Sequence, residues 1–342
     1  MPRLSAPVVP ASLALALTIL LGPTRDASAD VVYSDGLNHT VTIALNDRFV
    51  VNSNSTLTLG VGGAIMPPAP RGSTSVSLSS ATLTLAGGTI GGSFYGVNGL
   101  NAGFNATSGT VNGGNFGGSA VWLESGNGNI SGGTFNGGSY GGNALMLDSG
   151  SLPFFLNTKI SGGHFHGGAN AFGRGGSALF LTAFGTNTLS ITGGTFTAGT
   201  GSSPSNLGAS LRVLSSTNPS QDSPLNVTVS GGLVTGEIDL RTMYKNASVT
   251  FQGSGLSFAD QGNGTGVLTG TLLDGTTINT LVLDAGDSVG ALSNTVVFNG
   301  NAFTAAIPEP SPLILAAVAA LVAGGYGRLR GRPAAAGMIP LS

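Results

Sequence analysis

The sequence predicts an all-β protein whose body is a parallel β-helix (β-solenoid), set between an N-terminal signal peptide and a C-terminal transmembrane helix. Three observations predict it. A short apolar phrase centred on Gly-Gly recurs along the middle of the chain, a second apolar phrase falls between its copies, and a framed apolar run stands near each end. Two strand phrases per repeat, with variable material between them, mark a coil of stacked rungs, because a single rung cannot bury its own apolar residues.

Residues 1–29 read as a secretory signal peptide. Arg3 supplies a positive start and Ala11 to Leu21 an apolar core. Ala27 and Ala29 give the small-x-small pattern for cleavage before Asp30. In residues 30–79, Val41-Thr42-Ile43, Phe49-Val50-Val51 and Leu57-Thr58-Leu59 are leading strands, forming the first rungs or an N-terminal cap. Met66-Pro67-Pro68-Ala69-Pro70 is a loop, since three prolines cannot donate to a ladder.

Residues 80–245 carry the repeat. Its copies are Leu85-Ala86-Gly87-Gly88-Thr89-Ile90, Val111-Asn112-Gly113-Gly114-Asn115-Phe116, Ile130-Ser131-Gly132-Gly133-Thr134-Phe135, Ile160-Ser161-Gly162-Gly163-His164-Phe165 and Ile191-Thr192-Gly193-Gly194-Thr195-Phe196. A degenerate copy, Val229-Ser230-Gly231-Gly232-Leu233-Val234, closes the series. The second phrase appears as Ser119-Ala120-Val121-Trp122-Leu123, Asn143-Ala144-Leu145-Met146-Leu147, Ser177-Ala178-Leu179-Phe180-Leu181 and Ala209-Ser210-Leu211-Arg212-Val213-Leu214. The first glycines lie 26, 19, 30, 31 and 38 residues apart, which is too uneven for a propeller and suits a coil with loops growing from its corners. Alternate strand residues point inward, so a two-residue glycine bend lets Ile130 and Phe135 both face the core. Ser and Thr beside the bend can ladder with the same position one rung away. Over about residues 80 to 240 the pattern resembles right-handed β-helix proteins of the pectate-lyase-like kind and adhesin passenger domains. With the strand phrases on either side of the repeat, the pattern predicts one elongated parallel β-solenoid from about residue 35 to 300.

The style changes after Arg241. Residues 246–304, including Val249-Thr250-Phe251 and the run Gly266 to Ile278, read as terminal rungs or a small β cap. An uncovered end of such a stack would invite aggregation. Residues 305–332 follow a different logic. Pro308, Pro310 and Pro312 keep the chain extended around Glu309. An apolar run from Leu313 to Gly325 comes next, and then Arg328, Arg330 and Arg332. The run is shorter than the ~20 residues usual for a spanning helix, and the flanking side chains can extend it by snorkelling. The arginines fit the cytoplasmic side. Residues 333–342 form a further tail. This order of Pro-Glu-Pro, apolar run and basic cluster resembles the PEP-CTERM sorting signal of exported bacterial proteins. The resemblance covers residues 307–332 and implies a transmembrane sorting helix whose Pro308-Glu309-Pro310 is read, and cut nearby, by an integral-membrane exosortase. Signal peptidase and the secretion machinery are the other implied partners.

Composition narrows the function. With no cysteine, the chain has neither disulfides nor thiolate chemistry. Between the two signals, twelve Asp or Glu stand against two Lys and five Arg, without a basic stripe, so nucleic acid is not an expected partner. The aliphatic content is too high for a disordered chain.

The catalytic alternative is a polysaccharide-active enzyme, a lyase or glycoside hydrolase, which needs clustered carboxylates. Glu124 and Asp148 each follow the second phrase directly, so they can stack on successive rungs as either an acid pair or a solvated ladder. Glu237 and Asp239 share one strand face with Arg241, as either a site or an exposed charge trio. His164 and His166 share a face without an evident third ligand. Asp260 to Gly266 is oxygen-rich but lacks the trailing bidentate acid of a calcium loop, and reads as a turn. No metal, cofactor or catalytic residue is assigned. The expected protein is a non-enzymatic surface or extracellular-matrix protein, structural or adhesive, with extracellular polysaccharide as a candidate partner. It is exported as a membrane-anchored precursor, then placed at the cell surface, the outer membrane or the matrix.

Overall fold

The computed structural model describes residues 30–299 except 68–72, 93, 149–154, 184–186, 216–223, 243–246, 263–264, 284–287 and 293–294. Ala27, Ala29, the Pro308-Glu309-Pro310 tripeptide, the apolar run and Arg328, Arg330 and Arg332 lie outside the described residues. The described part is nearly all β, with one 3-10 turn at Pro204–Asn206. Within it no helix is long and apolar enough to cross a membrane.

From residue 30 to 242 the strands stack in parallel. One ladder runs through Asp30–Tyr33, Arg48–Asn52, Thr74–Ser79, Tyr95–Leu100, Val121–Leu123, Leu145–Asp148, Leu179–Ala183, Ala209–Ser215 and Glu237–Thr242. A second runs through Asn38–Val41, Thr56–Leu59, the first part of Thr82–Gly91 and of Ala102–Asn112, then Gly126–Ile130, Leu156–Ile160 and the first part of Asn187–Thr197 and of Leu225–Thr235. A third, short ladder holds Ala44–Leu45, Ala64–Ile65, the later parts of those long strands, Thr134–Asn136 and His164–His166. The chain visits the three in the same order on each rung and then returns one rung further along.

The second sequence phrase occupies the first ladder in the expected register: Val121 lies beside Leu145, Leu145 beside Leu179 and Leu179 beside Leu211. These four are buried, whereas Trp122, Met146, Phe180 and Arg212 alternate to the outer face and are partly exposed. At the glycine bend, Ile130 and Phe135 both point into the core. The bend needs glycine because Gly133 and Gly163 have φ of 98° and 100°, where a Cβ is disfavoured. Inside, Phe135, Phe165 and Phe196 stack face to face with ring centres 4.9 and 5.0 Å apart. Outside, polar side chains ladder between rungs, as in Asn136 Nδ2 donating to Asn112 Oδ1 at 2.8 Å and Ser248 Oγ to Asn226 Oδ1 at 3.0 Å. Beside the bend, Ser131, Thr192 and Ser230 donate instead to backbone carbonyls of the previous rung, each at 3.4 Å, and the side-chain ladders are carried by amides and by hydroxyls elsewhere on the strands.

One repeat copy is corrected. Val111 lies beside Ile90 and Phe135, so Ser108 and Gly109, at φ 93°, form the bend of that rung. Gly113 and Gly114 belong to a second corner, where they stack with Gly137, Gly138, Gly167 and Gly168 at the neck of a loop. Both corners demand residues without a side chain, so the same dipeptide marks two different places on the rung.

After residue 246 the direction changes. Ala247–Gly262 continues the second ladder in parallel and then runs antiparallel to Thr265–Leu272, which is itself antiparallel to Thr277–Leu283. Thr295–Asn299 pairs antiparallel with Ser248 to Gln252. The turn at 272–276 reaches back to the last glycine bend: Asp274 Oδ2 accepts from Gly232 N–H at 2.7 Å, and Asp274 N–H donates to Ser230 C=O at 3.2 Å. The Asp274 carboxylate and its own backbone N–H thus satisfy one donor and one acceptor of the last bend.

Candidate functional site

Among the described residues, the densest cluster of charge lies on the outer face of the first ladder. Glu237 and Asp239 alternate outward from one strand, as their spacing predicts, and Arg241 follows. Two residues the sequence did not connect complete the group. Arg212 is the in-register neighbour of Asp239 one rung earlier, and Arg174 reaches across from the loop between 167 and 177. Arg174 donates to Glu237 Oε1 at 2.6 Å and lies 2.9 Å from Asp239 Oδ2. Arg241 donates from Nε and Nη2 to the two oxygens of Asp239, both at 2.9 Å. Arg212 Nε stands 3.6 Å from the same carboxylate, with its guanidinium 5.2 Å from the Phe180 ring centre. Register alone could have pointed to Arg212. Arg174 carries no such signal, since its loop length differs from those of neighbouring rungs.

Within the trio Asp239 is 2% exposed and Glu237 22%, whereas Arg241 is 49% exposed, so the carboxylates are shielded and the guanidinium meets solvent. Burial by itself raises its pKa, but the hydrogen bonds and charges of Arg241 and Arg174 outweigh that and bring it down to about 2. A carboxylate so held does not donate a proton near neutrality. Burial pushes Glu237 the other way, upward, against the attraction of Arg174. Because the folded pKa of Asp239 is below its ordinary 3.8, its contribution is present above about pH 4 and fades as pH falls through about 2. Asp239→Asn is therefore expected to remove roughly 2 kcal/mol of acid-dependent stability, flattening the thermal midpoint between pH 4 and 2. An unchanged slope would place the acid sensitivity elsewhere.

Glu124 and Asp148 do come together on adjacent rungs, each following its buried leucine. Burial raises the Glu124 pKa, the nearby Asp148 adds to the rise, and a hydrogen bond with Asn98 opposes it. Trp122, beside them, packs on Tyr95 with ring centres 4.9 Å apart. One carboxyl held toward its protonated form beside a second acid is the pattern of an acid–base pair.

His164 and His166 lie on the short third ladder with near-parallel rings 6.4 Å apart, flanked by Thr134, Asn136, Thr195 and Thr197. Among the described residues no three His, Asp or Glu side chains converge on a point where a metal could sit. Asp260 pairs with Gly266 in the antiparallel ladder of Ala247–Gly262 and Thr265–Leu272.

No family model, no curated protein and no solved structure matches this chain.

Proposed function

We propose that the stacked rungs form a parallel β-solenoid and that the protein is an exported bacterial surface or matrix component without catalytic activity of its own. The observation that carries the scaffold reading is the Asp239 clamp. The most concentrated acids of the body are tied to Arg174, Arg212 and Arg241, so they stitch a loop and two rungs together instead of facing a substrate. Sorting rests on residue order. Glu309 is the only charge between Asp287 and Arg328, displayed by two prolines ahead of an apolar run. An exosortase-like membrane enzyme is proposed to process the chain at or near Pro308-Glu309-Pro310 after signal-peptide removal.

Mass spectrometry of the mature C-terminus tests this. Cells that possess the enzyme should yield a chain ending near Pro310, and the double variant Pro308→Ala, Glu309→Ala should keep its tail. An intact tail ending at Ser342 in the unaltered protein would reduce the motif to a plain anchor.

The Glu124–Asp148 pair favours a second reading, glycoside hydrolysis, because its environment raises one carboxyl beside another acid and an aromatic surface. A polysaccharide turnover screen decides between the two. Activity abolished by Glu124→Gln would establish the enzyme, and no turnover on acidic or neutral polysaccharides leaves the scaffold.

A further inference from the structure

The rung corners that carry the glycine necks also carry loops, and three successive loops each present an aromatic ring. Phe116, Tyr140 and Phe172 are 41%, 54% and 82% exposed, in a chain where aromatic residues are scarce and seven of the described phenylalanines are buried. The loops are tied in sequence: Gly117 N–H donates to Ser139 C=O at 2.6 Å and Gly141 N–H to Ala169 C=O at 3.2 Å. The Tyr140 and Phe172 rings lie 5.8 Å apart and nearly parallel, at 9°. Two exposed rings side by side on adjacent loops, with Phe116 exposed on the loop before them, begin a linear track along a stack whose strands repeat at about 4.8 Å.

Tyr140 is held there against its backbone preference. It has φ 71° and the following Gly141 φ 85°, two positive values in the turn from Ser139 to Gly142. Asn-Gly is the ordinary solution for such a turn, and a bulky aromatic residue in this region is an outlier. Strain of this kind persists where the surroundings enforce it, and it gathers at ligand-contacting positions. Phe172 is fixed as well: its N–H donates to Asn170 Oδ1 at 3.0 Å, and Asn170 Nδ2 donates to Arg174 C=O at 3.0 Å.

We infer that this track binds a neutral polysaccharide chain, with sugar C–H faces lying on the rings. The surround decides the class. Asn115 and Ser139, exposed and next in sequence to Phe116 and Tyr140, supply amide and hydroxyl groups suited to sugar hydroxyls, while the Asn170 amide is spent on holding the Phe172 loop. The guanidinium that comes nearest in sequence, on Arg174, is already bound by Glu237 and Asp239. An acidic polymer would therefore find no uncommitted cation from that side chain, and an apolar partner would face polar borders. The inference deepens the scaffold reading by naming what the exported body holds, and it rests on that reading for its location outside the cell.

The test is affinity electrophoresis of the purified exported protein through gels containing a soluble β-glucan, a galactomannan or a dextran, with alginate as the acidic comparison. At least one neutral polymer should retard the unaltered protein. Tyr140→Asn should abolish the retardation while keeping or raising the thermal midpoint, because asparagine relieves the turn. Phe172→Ala should weaken it at unchanged stability. Retardation by none of the neutral polymers, by alginate alone, or equally in Tyr140→Asn would overturn the inference. So would a dimer in light scattering that Tyr140→Asn dissolves, since the track would then be a self-contact. Failure here, with the C-terminal processing intact, removes the ligand and leaves the sorting reading standing.

Discussion

Gly168→Ala is expected to disrupt the central rungs, at a cost of at least about 3 kcal/mol, the upper end for forcing extra atoms into a packed interior. The reason lies in the loop necks. Each loop leaves and rejoins the stack through glycines whose backbones donate to one another across rungs. Gly138 N–H bonds Gly118 C=O at 2.9 Å, Gly142 bonds Gly138 at 2.9 Å, Gly168 bonds Gly142 at 2.7 Å and Gly176 bonds Gly168 at 2.8 Å. Gly199 and Gly208 extend the series at 2.9 and 2.8 Å. The result is a zigzag seam of main-chain hydrogen bonds. A methyl group on Gly168 would fall inside the carbonyl oxygen of Gly138, and the obstacle is the backbone of Gly137 and Gly138, with no flexible side chain to swing away. Gly138, Gly142 and Gly176 are confined in the same manner. Gly173, in the same loop, is the control. Its added Cβ would meet only the Asn170 amide at 3.1 Å, so Gly173→Ala should change urea stability little. Equal effects from the two substitutions would mean that the seam is not what confines this corner.

The seam also shows what the sequence could and could not tell. Strand phrases such as Val121-Trp122-Leu123 and Leu145-Met146-Leu147 were legible because period-two alternation with a buried face fixes register, and a one-residue slip would expose every inward side chain. Gly113-Gly114 misled because glycine reports only that space or a special backbone angle is needed, and two corners of the rung need it for different reasons. At Gly133 the need is a positive φ, and at Gly168 it is close approach. Of the ion cluster, Glu237, Asp239 and Arg241 were visible as a local pattern. Arg174 was not, because loop length sets which rung it reaches. The burial of Asp239 follows from that missing partner. The exposed aromatics carry no signal for the same reason: Phe116, Tyr140 and Phe172 have no fixed spacing, and only the stacking of loops sets the Tyr140 and Phe172 rings side by side.

The second large effect is expected at Phe165. Its ring sits between Phe135, at 4.9 Å and 14°, and Phe196, at 5.0 Å and 11°, and all three are at most 2% exposed. Phe165→Ala should cost about 3–5 kcal/mol, combining the lost transfer of a phenyl group with the cavity left behind. The site is poorly placed to collapse. The rungs above and below are fixed by the His164–Thr134 and His164–Thr195 pairings, so the neighbouring rings cannot slide together without breaking main-chain hydrogen bonds. Phe165→Leu should recover part of the loss by filling volume while giving up the ring stack. In a rung-by-rung architecture the damage should also be local in origin, since each unit is stabilised chiefly by its nearest neighbours. Hydrogen exchange in Phe165→Ala should therefore quicken first at 130–136, 160–166 and 191–197, ahead of the first strands near Phe49 and the antiparallel end near Phe298. Uniform acceleration would mean that the whole stack unfolds as one cooperative unit. An unchanged denaturation midpoint would mean that Phe165 does not face the core.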